Sequence, residues 1–292
     1  MEFKEKLSGY VDRVEKGIDL YLPSEETRPD RLHKAMRHSM KAGGKRIRPV
    51  LILATSEMLQ AETDAMPAAI AMECIHTYSL IHDDLPSIDN ADLRRGSPTC
   101  HVAFDEATAL LAGDALLTYA FQLLAMHYQT QPELNQKLVR ELSISAGSER
   151  LIGGQMEDIL GEEKQLDASQ LEYIHLNKTS ALIQCSMVMG GHLGKASDEE
   201  IDSLRDYGRC IGLAFQVIDD ILDTTSSKET LGKNVGGDEA LKKTTYVSVH
   251  GIEKARDIAN DLTQRAVEIC HSLPGEASFL SGLAEYLNRR LN

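Results

Sequence analysis

Apolar residues recur at three- and four-residue steps along almost the whole chain, the spacing that lines one face of an α-helix. Segments near 2–21, 30–42, 48–60, 66–84, 102–128, 134–160, 168–190, 197–223, 238–271 and 276–291 carry it. In the eighth of these, Ile211, Phe215, Ile218 and Leu222 fall on one stripe. No alternating β-branched run is long enough to predict a strand. The pattern predicts an all-α protein, with residues 1–292 forming a single antiparallel bundle of about ten helices. Two connections read as long, residues 85–101 and 224–237, the second rich in Ser, Thr, Gly and Lys. Long connections in compact domains are often functional lids.

Composition narrows the classes. Hydrophobic residues make up 42% and charged residues 26%, as in folded globular chains. Trp is absent and aromatics are only 5%, so the core must be aliphatic. A formal net charge of −14 excludes nonspecific nucleic-acid binding, which needs a basic footprint. Cys74, Cys100, Cys185, Cys210 and Cys270 show no Cys-x-x-Cys spacing and read as buried free thiols. The first residues lack the apolar core of a signal peptide, and no stretch approaches the roughly 20 apolar residues of a membrane span. These features predict a soluble, reduced, cytoplasmic protein with no membrane span.

Two acid clusters change the picture: Asp83-Asp84-Leu85-Pro86-Ser87-Ile88-Asp89 and Asp219-Asp220-Ile221-Leu222-Asp223, each following an apolar helical stretch. A single acidic triplet is ordinarily a solvated turn. Two, each ending a greasy helix, point to carboxylates around magnesium ions carrying a polyphosphate, because hard cations prefer oxygen ligands. Asp219 and Asp223 are i and i+4 neighbours, beside the apolar stripe, so they face either a shared site or solvent. Pro86 pushes Leu85 out of helical geometry, which ends the helix and lets Asp89 fold back toward Asp83. His76, Ser79 and Asp83 share a helical face, giving His76 either a site role or a place in the core.

Cations sit where an anion needs them. Gly43-Gly44-Lys45-Arg46-Ile47-Arg48-Pro49 sets three of them between a glycine turn and a helix start, and helix N-termini favour anions. Arg94-Arg95-Gly96 follows the first acid cluster, Lys178-Thr179 lies in a helix, and Lys233, Lys242 and Lys243 follow the second cluster. Any one basic pair is an ordinary solvated patch. The joint pattern with two acid clusters is not.

The run His82 to Asp89, continued by Asp92-Leu93-Arg94-Arg95-Gly96-Ser97-Pro98-Thr99, resembles the first aspartate-rich motif of bacterial trans-isoprenyl diphosphate synthases. Phe215 to Asp223 resembles the second. Gly44-Lys45-x-x-Arg48-Pro49, Gly153-Gly154-Gln155-x-x-Asp158 and Lys178-Thr179 match in order and spacing, so the likeness spans roughly residues 40–245. It is greatest toward the farnesyl-forming bacterial branch. The resemblance implies a helical fold with a deep central cavity, a homodimer, and head-to-tail condensation of isopentenyl diphosphate with an allylic diphosphate. It assigns Lys45, Arg48, His76 and Arg95 to the isopentenyl diphosphate. Asp83, Asp84, Asp89, Asp158, Asp219 and Asp223 would position magnesium, taken as three ions. Arg94, Lys178 and Lys233 would join the metals on the allylic diphosphate. Thr179 and Gln216 would line the reaction site, with Lys243 a weaker addition and Arg289 or Arg290 helping to close the isopentenyl site.

Tyr78, five residues before Asp83, and Ser79, four before it, would set chain length; an aromatic at the fifth position implies a fifteen-carbon stop. Helical geometry puts Ser79 more directly beneath Asp83, so Tyr78 must reach sideways. Otherwise Tyr78 is a core residue with a hydrogen-bonded hydroxyl. Competing readings are a ten- or twenty-carbon product, a class I terpene cyclase, and a noncatalytic synthase subunit.

Overall fold

Where the apolar spacing runs on through a capping or turn residue, the chain breaks the helix there. The computed structural model describes residues 3–162, 164–225 and 244–289. In chain order the helices are α1 Phe3–Tyr21, α2 Asp30–Met40, α3 Ile47–Met58, α4 Met66–Asp83, α5 Cys100–Ala103, α6 Glu106–His127, α7 Pro132–Ala146, α8 Leu151–Gly161, α9 Ala168–Ile174, α10 Ala181–Leu193, α11 Asp198–Thr225, α12 Tyr246–His250, α13 Ile252–Ser272 and α14 Ser278–Asn288. A six-residue π-helical segment, His175–Ser180, joins α9 to α10. Among the described residues the one sheet is a hairpin of Leu93–Arg94 with Ser97–Pro98. The protein is all-α, as the periodicity predicts.

Four predicted helices are divided, the stretch 168–190 by the π-helical segment. The stretch 102–128 breaks at Asp105, whose carboxylate accepts from the Thr108 N–H at 2.7 Å and caps α6. The stretch 134–160 breaks at 147–150, where the Gly147 N–H turns back to the Ile144 carbonyl. The described part of 238–271 breaks at Gly251, which takes φ +78.

The chain falls into two compact units, Met1–Leu53 with Asp64–Val139, and Ala54–Thr63 with Arg140–Asn292. In the first, α4 is apolar nearly all round and buried on most sides, the expected fate of such a helix. Its Ile70, Met72, Cys74 and Ile75 are fully buried. Against it lies α6, whose inner face is made of Ala109, Ala112, Gly113, Leu116, Ala120, Leu123 and Leu124. The Arg37 guanidinium closes the end of α1 by donating to the carbonyls of Asp19, Leu22 and Pro23, groups that a helix end leaves without partners.

One helix of this unit is more apolar than the sequence reading expects. Helix α6 is long and apolar enough by length and composition to cross a membrane, a property that a core helix shares. Its Ala- and Leu-rich inner face is packed on α4, while Leu110, Leu111 and Met126 remain exposed.

In the second unit, α10 is buried along almost its whole length and packs on the 28-residue α11, which also meets α13 and the π-helical segment. The Tyr207 hydroxyl reaches the Leu280 carbonyl at 2.8 Å. All five cysteines are free and buried.

Candidate active site

In the first unit, α4 ends at Asp83 with Asp84 as its C-cap. The Asp89 N–H donates to the Asp83 carbonyl at 2.9 Å, the fold-back that Pro86 implies. Asp83 is half-buried and Asp89 exposed. Asp84 is buried, and both its oxygens accept from Arg94: Nε at 2.8 and 2.9 Å and a terminal nitrogen at 2.6 Å. Such forked pairs fix orientation as well as charge. Burial disfavours the Arg94 cation, but Asp84, with Asp83 and Asp89, outweighs it and raises its pKa. The structure thus makes Asp84 and Arg94 each other's partners.

The hairpin delivers Arg94 and its neighbour in different directions. Its two-residue turn is Arg95-Gly96, at φ +54 and +80, the double positive φ of a type I′ turn. From that turn the Arg95 guanidinium donates to the Gly43 carbonyl. Gly44 sits at φ +130, a backbone conformation that favours glycine, and the Arg95 guanidinium packs where a Cβ would be. Lys45 is exposed on the same turn. Arg48 donates to His76 Nε2 at 3.4 Å. Burial, then Arg48 and Arg95, push His76 well below the ordinary imidazole pKa, so it is neutral. Burial also pushes Arg48 down to about 10, against the pull of Glu73. At neutral pH Arg48 from the loop and Arg95 from the hairpin therefore bring two cations to the neutral His76 imidazole of α4, a set suited to a diphosphate.

Further along α4, Ser79 is half-buried and its hydroxyl donates to the His76 carbonyl at 2.9 Å. Tyr78 is buried, its ring edge-on to His82 at 5.8 Å. Its hydroxyl has no hydrogen-bond partner among the described residues, and burial together with Asp83 pushes its pKa up to about 12.

In the second unit the π-helical segment carries Lys178 and Thr179. Single π turns within helices are frequent at functional sites. The segment packs on α8 at Gly154, where a Cβ would overlap the Lys178 backbone. Across that contact Lys178 Nζ donates to Asp158 at 2.6 Å. Thr179 Oγ1 donates to Gln216 Oε1 at 3.1 Å, Gln216 Nε2 donates to Asp220 at 3.1 Å, and the Tyr246 N–H donates to the other Asp220 oxygen at 2.8 Å. Asp219 and Asp223 are half-buried on the same helix. A cavity of about 140 Å³ is lined by Asp158, Lys178, Thr179, Gln216, Asp220 and His175, among others.

Lys233, Lys243 and Arg290 lie outside the described residues. Arg289 is exposed and bonds to Glu285 one turn back at 3.1 Å. Among the described residues no three His, Cys, Asp or Glu side chains gather closely enough to hold a metal unaided. The donor set that does exist is all carboxylate, the hard oxygen chemistry that suits a magnesium ion sharing its shell with phosphate.

A sequence profile for polyprenyl synthetases matches residues 29–272. The chain belongs to the polyprenyl synthetase family. It is a trans-prenyltransferase. It is 46% identical over 290 residues to the large subunit of a heterodimeric geranylgeranyl pyrophosphate synthase of Arabidopsis thaliana, covering 97% of this chain and 78% of that one. It is 44% identical over 274 residues to the farnesyl diphosphate synthase of Micrococcus luteus, covering 94% and 92%. The crystal structure of a Helicobacter pylori geranyltransferase complexed with magnesium and isoprenyl diphosphate matches with a TM-score of 0.82 at 36% identity, covering 98% of this chain and 97% of that one.

Several residues of this prenyltransferase went unremarked in the sequence reading. Glu73 is a lone charge in the apolar run from Ile70 to Ile75, which itself signals a buried partner. That partner is Arg46, read earlier only as one more cation. His175 is buried, stacked on Tyr246 at 5.4 Å, and 3.9 Å from Asp220. Burial, with a contribution from Lys178, pushes its pKa down to about 4, so this approach is not an ion pair. Nothing in the linear pattern distinguishes His175 from a surface histidine.

Proposed function

We propose that the chain condenses isopentenyl diphosphate head to tail with dimethylallyl or geranyl diphosphate and stops at the fifteen-carbon farnesyl diphosphate. The observation that carries this reading lies on one helix. His76 and Asp83 stand seven residues apart on α4, about two turns or roughly 10 Å. The adjacent Arg94 and Arg95 split between them, one to Asp84 and the other to Gly43. Two anion sites about one helix segment apart suit a reaction that joins two diphosphate substrates.

On this reading Lys45, Arg48 and Arg95, with neutral His76, hold the isopentenyl diphosphate. Asp83, Asp89, Asp158, Asp219 and Asp223, with Asp84, are the residues that would hold magnesium, taken as three ions. Magnesium when bound draws off the charge of the allylic diphosphate and makes it a better leaving group. Arg94, Lys178 and Lys233 add cations to the same diphosphate, and Lys243 is a further contact. The allylic carbon–oxygen bond breaks, and the isopentenyl double bond attacks the resulting cation to form the new carbon–carbon bond. One proton is then lost to the departing diphosphate. Thr179 and Gln216 border the reacting carbons, Tyr78 limits the growing chain with Ser79 beside it, and no covalent enzyme intermediate is needed. Preorganised cations aimed at a developing anion are the largest contribution expected here. The enzyme works as a homodimer.

A twenty-carbon product is the second reading, favoured by the 46% identity to a geranylgeranyl synthase subunit. One experiment separates the two. The purified chain is incubated with isopentenyl diphosphate and either primer, with and without a chelator, and the products are sized by chromatography. Fifteen-carbon product that disappears with chelator supports the proposal. A predominantly twenty-carbon product transfers the case to the second reading, and turnover that survives chelation removes the metal from it.

A further inference from the structure

A diphosphate cradle assembled from Lys45, Arg48 and Arg95 has to be held open against its own repulsion before the substrate arrives. Arg46 contributes a fourth cation to the same turn, yet its side chain points away from solvent and is fully buried. Its backbone takes φ +51, a conformation that non-glycine residues seldom adopt and that the surroundings must enforce. All three of its bonding directions are used. Nε donates to Glu15 at 2.7 Å, one terminal nitrogen to Glu73 at 2.6 Å, and the other to the Met40 carbonyl at 2.6 Å. Burial works against the Arg46 charge, and Glu73 with Glu15 more than restores it.

The three anchors come from different places. Glu15 is on α1, the Met40 carbonyl ends α2, and Glu73 is on α4, one turn before His76. Arg46 stands two residues before Arg48 and two after Gly44, the glycine against which Arg95 packs. A single side chain therefore ties the cradle's turn to three helices. Glu73 also leaves its second carboxylate oxygen without a hydrogen bond among the described residues, and its charge acts on both Arg48 and Arg95.

We propose that Arg46, Glu73 and Glu15 form a positioning network that sets the geometry of the isopentenyl diphosphate cradle without touching the substrate. The proposal rests on the assignment of Lys45, Arg48 and Arg95 to isopentenyl diphosphate. Two opposing effects of removing Glu73 make its sign informative. Losing the anchor loosens the turn and weakens substrate binding. Losing a negative charge beside two arginines strengthens attraction for a diphosphate. The geometric effect dominates, because a misplaced fork loses its bidentate contacts whatever the net charge.

The test measures KM for isopentenyl diphosphate, KM for geranyl diphosphate, kcat and the melting temperature in Glu73→Gln, Glu15→Gln and Arg46→Lys. Glu73→Gln is expected to raise the isopentenyl KM by about tenfold, leaving kcat and the geranyl KM within about twofold, the pattern of lost binding at one subsite. Arg46→Lys keeps the charge but not the planar fork, and is expected to raise the same KM by about fivefold. Glu15 is partly exposed, so Glu15→Gln should fold even where Glu73→Gln does not, and is expected to raise that KM by about threefold at an unchanged melting temperature. Arg48→Gln is the control. If it leaves the isopentenyl KM unchanged, the substrate assignment itself is wrong. If Arg48→Gln raises that KM while Glu15→Gln and Arg46→Lys leave it unchanged, the network is structural only. An isopentenyl KM that falls in Glu73→Gln makes Glu73 a counter-charge and overturns the positioning role.

Discussion

The Tyr78 hydroxyl is buried with no hydrogen-bond partner among the described residues, a condition that costs about 1–3 kcal/mol. On the proposed reading Tyr78 acts through its bulk and not through its hydroxyl. Tyr78→Phe should therefore leave product length unchanged and the melting temperature equal or higher. Tyr78→Ala should shift products beyond fifteen carbons in a chromatographic assay, and an unchanged distribution there removes Tyr78 from length control. His175 gives a second test. Its pKa of about 4 lies below the ordinary 6.5. The unfolded chain thus binds its proton first as pH falls, and stability is full above 6.5 and lost through the window down to about 4. Complete loss of this contribution is worth up to about 3 kcal/mol. His76, pushed down in the same direction, acts with the same sign. His175→Phe keeps the stack on Tyr246 and should flatten the melting temperature across this pH window; an equally steep profile in the variant refutes the assignment.

At the scale of elements, apolar spacing located the helices but not the ways in which they end. The π-helical segment His175–Ser180 has the same three- and four-residue spacing as the helices around it, so its register shift was invisible until packed. The hairpin of Leu93–Arg94 with Ser97–Pro98 is too short for alternation to show, although Arg95-Gly96 carries the turn chemistry. The acid clusters, the glycine-flanked cations and the Lys178-Thr179 pair were all legible, because charge and glycine in fixed order survive without coordinates. The pairings of Arg94 with Asp84 and of Lys178 with Asp158 were not, since each depends on how a loop folds back. Gly154 tests the element directly. Gly154→Ala must push α8 off the Lys178 backbone, which should cost about 1–3 kcal/mol of stability. Misplacing Lys178 by an ångström should also lower kcat by about tenfold or more. Melting curves and steady-state rates on one preparation check both, and an unshifted kcat would show that Lys178 tolerates displacement.

Across the whole molecule, the all-α class was readable from apolar periodicity and the family from motif order, whereas the two compact units leave no signal in the linear pattern. Two of the unit boundaries fall inside α3 and α7, where the apolar spacing continues unbroken, and the third lies in the connection between α3 and α4. The proposed chemistry asks Asp83 and Asp219 to serve the same allylic diphosphate. Asp83→Asn and Asp219→Asn should each lower kcat by about a hundredfold or more, and the double variant should lose much less than the product of the two. Losses that multiply would mean that the clusters work on separate ligands.

The five hidden thiols supply a gauge of how each unit breathes. Burial pushes Cys74 and Cys185 far above the ordinary thiol pKa, and thiols without thiolate character react only when the surrounding structure opens. Cys74 and Cys100 belong to one unit, and Cys185, Cys210 and Cys270 to the other. The rate at which a maleimide labels each position, resolved by peptide mass, is therefore a natural stopwatch on each unit's opening. No probe has to be engineered to read it.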